Sequence, residues 1–342
     1  MIVRFVSGLA LCLLPLWVVA ADQPVAIALH GGAGTIERDR MSAEAEAEYR
    51  SFLDRAISKG YQQLQAGEEG LDVVVAIIQR MEDSPLFNAG KGSVYTWDGK
   101  HELDASIMHG AQLDAGAVAG VTTVQSPIAL ARAVMEQSPH VMLASKGAEQ
   151  FARELGIPEV SPAYFETERR KRALESYKAR KQAGVEPRVD FKFGTVGVVV
   201  LDSKGNLVAG TSTGGMTGKR WGRIGDAPVI GAGTYADNNS CAVSATGHGE
   251  FFIRHTVARD ICARMQFAGQ NLQEAAETVI MDELVAAGGD GGIVAVDATG
   301  EVSMVFNTPG MYRASVSGSG EKRIGIFGLS LIHISEPTRR NS

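Results

Sequence analysis

Cysteine is scarce, with three in 342 residues. That rules out a disulfide scaffold, and the first of them, Cys12, lies in a segment expected to be removed. Cys241 and Cys262 both sit in apolar stretches, so buried free thiols are expected, with a bridge left open for an oxidising compartment. Positive charge is not in excess either: the formal net charge is −6, which gives no general attraction to nucleic acid or anionic membrane. After the N-terminus no apolar run is long enough to span a bilayer. No period of solenoid length recurs. His248 and His255 lie seven apart, which does not match a His-Glu-x-x-His zinc helix.

Glycine, by contrast, is abundant, at 40 residues, against a usual share of about 7%. Many glycines are clustered, which implies tight turns and close backbone approaches. At the N-terminus Arg4 precedes an apolar run from Leu9 to Val19, closed by Ala20 and Ala21. This reads as a signal peptide over residues 1–21, so the mature chain is expected to be exported: periplasmic in a Gram-negative cell, otherwise secreted.

The remaining chain reads as one domain, residues 22–328. An apolar strand, Val25–Leu29, runs into His30-Gly31-Gly32-Ala33-Gly34. Helices are expected over Ala43–Leu64 and Leu71–Met81, then a loop, Pro85–Gly90. Strands are expected at Ser93–Thr96 and Glu102–Met108, joined by an Asp98-Gly99 turn, and at Ala115–Val121. Ser126-Pro127 opens a further helix. Residues 161–192 are highly charged and read as an exposed, partly helical, mobile linker. Beyond it, strands Thr195–Leu201 and Leu207–Gly210 flank a hairpin turn. Helices follow at Glu250–Met265 and Leu272–Leu284, then a hairpin pairs Gly292–Val296 with Val302–Phe306. Hairpins mixed with blocks of helices imply a layered α/β fold. Residues 329–342 (LSLIHISEPTRRNS) continue none of these elements and read as a translated adaptor or vector sequence.

At the junction of linker and strand stands Gly194-Thr195. The Thr195 hydroxyl could attack the Gly194 carbonyl, and hydrolysis after an N-to-O acyl shift would free the Thr195 amine. That amine then serves as base for its own hydroxyl. Its reference pKa, roughly 7.7–8.0, suits such work near neutrality. Taken alone, a Gly-Thr pair is an ordinary strand opening. Downstream stand Gly210-Thr211-Ser212-Thr213-Gly214-Gly215, then Trp221-Gly222-Arg223-Ile224-Gly225-Asp226, then Ser244-Ala245-Thr246-Gly247-His248-Gly249-Glu250.

With Phe87-Asn88-Ala89-Gly90 and His30–Gly34, these motifs resemble the plant-type asparaginase/isoaspartyl peptidase family of N-terminal nucleophile hydrolases, from about Val25 to Phe327. The resemblance implies a four-layer αββα sandwich cut before Thr195 into an α subunit (22–194) and a β subunit (195–328), which pair as a dimer of heterodimers. It implies Thr195 as nucleophile, supported by Thr213, with Asn88 near it. Arg223 matches the residue that grips the substrate α-carboxylate, a task suited to a guanidinium fork. Asp226 matches the holder of the α-ammonium, and Thr246 and Gly247 match the oxyanion hole, whose donors contribute about 2.7–4 kcal/mol each. The implied substrates are L-asparagine and β-aspartyl dipeptides. No organic cofactor is needed, though the resemblance implies a sodium ion held by the carbonyls of Met81, Glu82, Ser84, Phe87, Ala89 and Lys91.

Other readings compete. Glycosylasparaginase and a protein-cutting threonine aspartase share the fold. An exported amino-acid-binding protein could use Arg223 and Asp226 without catalysis. Gly210-Thr211-Ser212-Thr213-Gly214 also spells the nucleophile elbow of a serine hydrolase, which requires a helix directly after Ser212. Arg223 with Asp226 could be a surface ion pair, and His30 a packed turn histidine.

Overall fold

A computed structural model describes residues 24–185 and 194–328. The expected signal peptide, residues 186–192 of the linker and the tail at 329–342 lie outside the described residues. Among those described, no helix is long and apolar enough to cross a membrane.

Twelve strands form two sheets among the described residues. The first part of the chain gives β1 (Ala26–Gly34), α1 (Ala43–Gln65), α2 (Gly70–Glu82), β2 (Leu103–His109), β3 (Asp114–Val121), α3 (Pro127–Gln137), β4 (Met142–Ala144), α4 (Ser145–Glu154) and α5 (Glu168–Gln182). The second part gives β5 (Val196–Leu201), β6 (Leu207–Thr213), β7 (Thr234–Ala236), β8 (Cys241–Gly247), α6 (Gly249–His255), α7 (Val257–Ala268), α8 (Leu272–Glu277), α9 (Leu284–Ala286), β9 (Gly291–Asp297), β10 (Val302–Ser303), β11 (Gly310–Val316) and β12 (Lys322–Phe327). An eight-stranded sheet runs β12-β11-β1-β5-β6-β2-β3-β4, and a four-stranded sheet runs β10-β9-β8-β7. Helices α1, α2 and α3 cover the outer face of the first, and α7 and α8 cover the second, giving four layers, αββα.

Strand alternation explains the layering. On β1, Ile27 and Leu29 point into the core shared with α1 and α2, while Ala26 and Ala28 face the second sheet. On β5, Val196, Val198 and Val200 join the helical core, while Val199 and Leu201 face inward. Side chains two apart share a face. Thr195 and Gly197 therefore lie on the same inter-sheet side as Val199. Burying an Ile or Val this completely stabilises the fold by about 1.5–3 kcal/mol.

Several expectations need correction. Residues 93–96 are buried but form no strand: Val94 N–H donates to Asn88 Oδ1 at 2.8 Å and Trp97 N–H to Lys219 O at 2.9 Å, so loop groups take the place of a ladder. The Asp98-Gly99 turn exists, closed by Thr96 N–H to Lys100 O at 2.7 Å, but it does not join two strands. The helix expected over Glu250–Met265 breaks at Thr256, which has φ +46°, because the Ala258 and Arg259 N–H groups donate to Ala232 and Gly231 carbonyls. The helix beginning at Leu272 is started by an Asn271/Glu274 capping box and passes through a π turn at Thr278–Glu283. Within the charged segment, α5 is capped by Thr167, and its Arg169 donates to Leu86 O at 2.7 Å and Pro85 O at 3.2 Å. Strands β4, β7, β8, β11 and β12 and helix α4 were not among the expected elements.

The cysteines differ as well. Cys241 on β8 and Cys262 on α7 are joined by a disulfide rather than left as free thiols. A bridge closing a loop of this separation, 21 residues, typically contributes about 2–4 kcal/mol. The double variant Cys241→Ala/Cys262→Ala is therefore expected to lower the urea-unfolding free energy by about that amount. Denatured, unreduced protein should show no titratable thiol from this pair. Two free thiols together with an unchanged unfolding midpoint would overturn the bridge.

Candidate functional site

The space between the sheets is lined with Ala and Val over most of its extent, but at one end the same strand faces carry polar groups. His30 (β1), Ser106 (β2), Thr211 and Thr213 (β6), Thr234 (β7), and Ser244 and Thr246 (β8) are all buried there, with Thr195 at the mouth of β5. A buried hydroxyl must find a partner or cost roughly 1–3 kcal/mol, so these groups bond to one another.

Thr195 donates its hydroxyl to Thr213 Oγ1 at 3.1 Å, and Thr213 Oγ1 also accepts Gly215 N–H at 3.0 Å. The preceding residue, Gly194, has φ +150°, a conformation closed to most side chains. Its carbonyl accepts the backbone N–H of Asn88 at 3.0 Å. The Asn88 side chain braces the surroundings: Nδ2 donates to Gly215 O at 2.8 Å and Oδ1 accepts Val94 N–H. A β-bulge between His30 and Ala33 bends β1 over this junction. Its Gly32 packs so closely that a Cβ there would lie 2.5 Å from Gly194 Cα. The next residue, Ala33, donates its N–H to Thr246 Oγ1 at 3.4 Å. The glycine turn thus touches both the Gly194-Thr195 junction and the Thr246-Gly247 strand end.

Arg223 and Asp226 do not form a surface pair. The Arg223 fork is engaged by Glu250 through Nε–Oε1 and Nη2–Oε2, both 2.9 Å. Burial alone would raise the Glu250 carboxyl, but the hydrogen bonds and charge of Arg223 outweigh it and hold the carboxyl low. Asp226 is buried and its Oδ2 has no hydrogen-bond partner. Burial pushes its carboxyl up to about 7 against the pull of Arg223. The two side chains meet at Gly249, where a Cβ would lie 2.7 Å from Asp226 Oδ1 and 2.9 Å from Arg223 Nη2. A buried carboxylate with one free oxygen beside a guanidinium fork is a fitting seat for an ammonium and a carboxylate carried on one carbon.

Ser212 lies within β6, fully buried, and donates to Glu82 Oε1 at 2.6 Å. A loop follows β6 rather than a helix, so the nucleophile elbow is not formed. Glu82 also accepts Ser126 Oγ–H at 2.6 Å and Ile128 N–H at 3.1 Å, and burial lifts its carboxyl to about 7. Just beyond it the loop Asp83–Lys91 folds back, with Lys91 N–H on Glu82 O at 2.7 Å. The carbonyls of Pro85 and Phe87 crowd the Cα of Gly92, and that of Glu82 crowds Gly90. Backbone carbonyls are the donor class that suits a hard cation, and of those the resemblance implies here, Met81 O and Glu82 O also accept the N–H groups of Ser84 and Lys91. Among the described residues no group of three or more His, Cys, Asp or Glu side chains is placed to hold a metal.

Beyond the strand hydroxyls, sequence reasoning missed the contributions of His30 and Glu250. His30 is not a turn residue: it sits in β1, and its Nδ1–H donates to the Thr195 carbonyl at 3.1 Å. Burial drives its imidazole down to about 3, so it stays neutral. Glu250 is the second, visible in sequence only as a charge at a helix start.

The chain matches the family model described as asparaginase over residues 23–326. It is 51% identical over 308 residues to the isoaspartyl peptidase of Escherichia coli (strain K12), covering 88% of this chain and 95% of that protein. It is 50% identical over 306 residues to the isoaspartyl peptidase of Salmonella typhimurium, covering 88% and 98%. To the isoaspartyl peptidase/L-asparaginase of Homo sapiens it is 42% identical over 278 residues, covering 81% and 88%. Since one family model takes in both sheets, the Gly194-Thr195 junction and the Arg223–Asp226 loop, the chain belongs to the asparaginase family.

Proposed function

We propose that this chain is a precursor that cuts itself before Thr195 and then hydrolyses isoaspartyl dipeptides and L-asparagine, releasing L-aspartate. The observation that carries the reading is the Gly194-Thr195 junction: a hydroxyl held at 3.1 Å by Thr213, beside a carbonyl held at 3.0 Å by the Asn88 N–H. The relatives named isoaspartyl peptidase support the substrate class.

In the first stage Thr195 Oγ attacks the Gly194 carbonyl carbon. The C–N bond breaks as the C–O ester forms, and the proton passes from oxygen to the departing nitrogen. Water then hydrolyses the ester, leaving a Gly194 carboxylate and a free Thr195 amine. The Asn88 N–H stabilises negative charge on the Gly194 oxygen. The two products stay together because their strands are interleaved: β1 lies between β11 and β5, and β2 pairs with β6.

In the second stage the Thr195 amine takes the proton of its own hydroxyl, which attacks the substrate side-chain carbonyl. Arg223 binds the α-carboxylate in competition with Glu250, and Asp226 receives the α-ammonium. Thr246 Oγ–H and Gly247 N–H stabilise the oxyanion. Ammonia or an amino acid leaves, and water releases aspartate from the acyl-enzyme. A sodium ion held by the carbonyls of Met81, Glu82, Ser84, Phe87, Ala89 and Lys91 would stiffen the loop that carries Asn88. Export is supported by the apolar run Leu9–Val19 and by the Cys241–Cys262 disulfide, since such bonds persist in oxidising compartments.

Thr195→Ala is expected to leave one uncut chain on a denaturing gel, with turnover of β-aspartyl dipeptides abolished; a cut or active variant would exclude Thr195. Arg223→Ala should raise KM roughly 10- to 100-fold through loss of charged hydrogen bonds, with smaller effects on cleavage. Asp226 must be ionised to hold an ammonium, and its carboxyl titrates near 7. Protonation as pH falls should therefore raise KM roughly tenfold per unit below that pH. Asp226→Asn should show a high KM that no longer varies over the same range. A wild-type KM that stays flat from pH 8 down to pH 5 would remove Asp226 from the ammonium site.

A further inference from the structure

Five fully buried side chains from five strands form one continuous hydrogen-bonded line beneath the site. From the Thr195 carbonyl it runs to His30 Nδ1 (3.1 Å), and from His30 Nε2 to Ser244 Oγ (3.0 Å). It continues to Thr211 Oγ1 (2.7 Å), Thr234 Oγ1 (2.6 Å) and Ser106 Oγ (2.7 Å), and ends on the Ala227 carbonyl (2.6 Å). Ala227 follows Asp226 directly, so one end of the line is the nucleophile's own backbone and the other is the loop that carries the ammonium seat. The line crosses both sheets through a gap in β5: a Cβ at Gly197 would overlap both Ser244 Oγ and His30 Nε2. No other residue could stand at that position without breaking the contact.

Its polarity follows from counting hydrogens. A carbonyl only accepts, so His30 Nδ1 must carry the proton towards Thr195. His30 is neutral, so its Nε2 is bare and accepts from Ser244. Ser244 Oγ then accepts from Thr211, and Thr211 Oγ1 accepts from Thr234. The hydroxyls of Thr211 and Thr234 are thus turned away from their longer contacts to Gly233 O (3.2 Å) and Ala227 O (3.4 Å). One imidazole and four hydroxyls supply five hydrogens for six contacts, so one contact always lacks a proton. The Ser106 hydroxyl has a choice, donating either to Thr234 or to Ala227.

We infer that this line couples the Asp226–Ala227 loop to the posture of Thr195, making Ser106, Thr234, Thr211, Ser244 and His30 positioning residues for the reaction. The inference rests on the functional reading above in taking Thr195 as the nucleophile and Asp226 as the ammonium seat. A ligand that draws on Asp226 shifts the Ala227 carbonyl. That changes which acceptor Ser106 serves, and a polarised line carries the change to the Thr195 carbonyl. Ser106 touches neither Thr195 nor Asp226, so a purely local role would leave the chemical step alone.

The test begins with wild-type turnover on a β-aspartyl dipeptide and on L-asparagine, which judges the functional reading by itself. Ser106→Ala and Thr211→Val are then each expected to lower kcat roughly tenfold by misplacing the nucleophile. The double variant should be no worse than the poorer single variant, because one cut already severs the line. Thr211→Ser, which keeps the hydroxyl, should recover kcat to within about threefold of wild type. Losses confined to KM, or losses that multiply in the double variant, would overturn the coupling.

A second readout needs no variant of the line. Nitrogen NMR of the histidine rings should show two imidazoles that remain neutral at pH 5, because burial holds both His30 (about 3) and His101 (about 4) low; the one that persists in His101→Gln, protonated on Nδ1 and bare on Nε2, is His30. Saturation of the mature enzyme with L-aspartate should shift that Nε2 signal. A signal unmoved at saturation would overturn the inference, even where the substituted proteins fail to fold.

Discussion

Two sheets stack about 10 Å apart only where their facing side chains are short enough to interdigitate. Here that constraint falls on β1, β5, β6 and β8, and it selects Ala26, Ala28, Gly197, Val199, Ala209 and Ala242 over larger residues. The bulk that builds the core lies on the opposite faces, where Ile27, Leu29 and the valines of β5 meet α1 and α2. The same size limit governs the polar end of the space. Serine and threonine are the hydroxyl-bearing residues that fit it, so hydroxyls collect there and must satisfy each other. The site is a polar continuation of a packing solution.

Burial then sets the electrostatics, and it acts oppositely on acids and bases. It drives the His30 imidazole down to about 3, which keeps it neutral and gives the hydroxyl line a direction. It lifts Asp226 to about 7, so this carboxyl, the proposed ammonium seat, responds to pH near neutrality where an exposed aspartate would not. Glu82 is lifted to a similar value, yet it accepts three hydrogen bonds, from Ser126, Ser212 and Ile128. That contrast separates a carboxyl that ties α2, α3 and β6 together from one with an oxygen left free for a ligand.

Elements with strong periodicity were legible in the sequence: the alternation of Val25–Leu29 and Thr195–Leu201, and the apolar stripe of residues 43–64. Strands β8 (CAVSATG) and β11 (GMYRASV) were not. β1 and β5 are buried on both faces too, but β8 and β11 carry Gly, Ser, Thr and Arg in place of a continuous apolar run, so nothing in their sequence marks them as strands. The split of the helix near Thr256 was hidden because its cause is distant, in the carbonyls of Gly231 and Ala232. The Cys241–Cys262 bridge was hidden for a similar reason, since 21 residues of separation say nothing about whether α7 returns to β8. In the site, the Thr195–Thr213 contact was foreseen from resemblance. His30, Ser244, Thr211 and Ser106 were not, because a hydroxyl in a strand looks the same in sequence whether it meets solvent, backbone or another hydroxyl.

The interleaving of the two halves has a consequence for the order of events. β5 begins immediately after the junction, and its partners are β1 from the first half and β6 from the second. The sheet must therefore be complete before Gly194 can be held by Asn88 and overlaid by Gly32, since β1 carries the bulge and β6 positions Thr213. Cleavage that needs this geometry cannot precede folding. The proposed cut would remove one covalent bond from a core whose ladders and side chains remain intact. The change it would make is local: a blocked nitrogen would become an amine, beside a hydroxyl already held by Thr213.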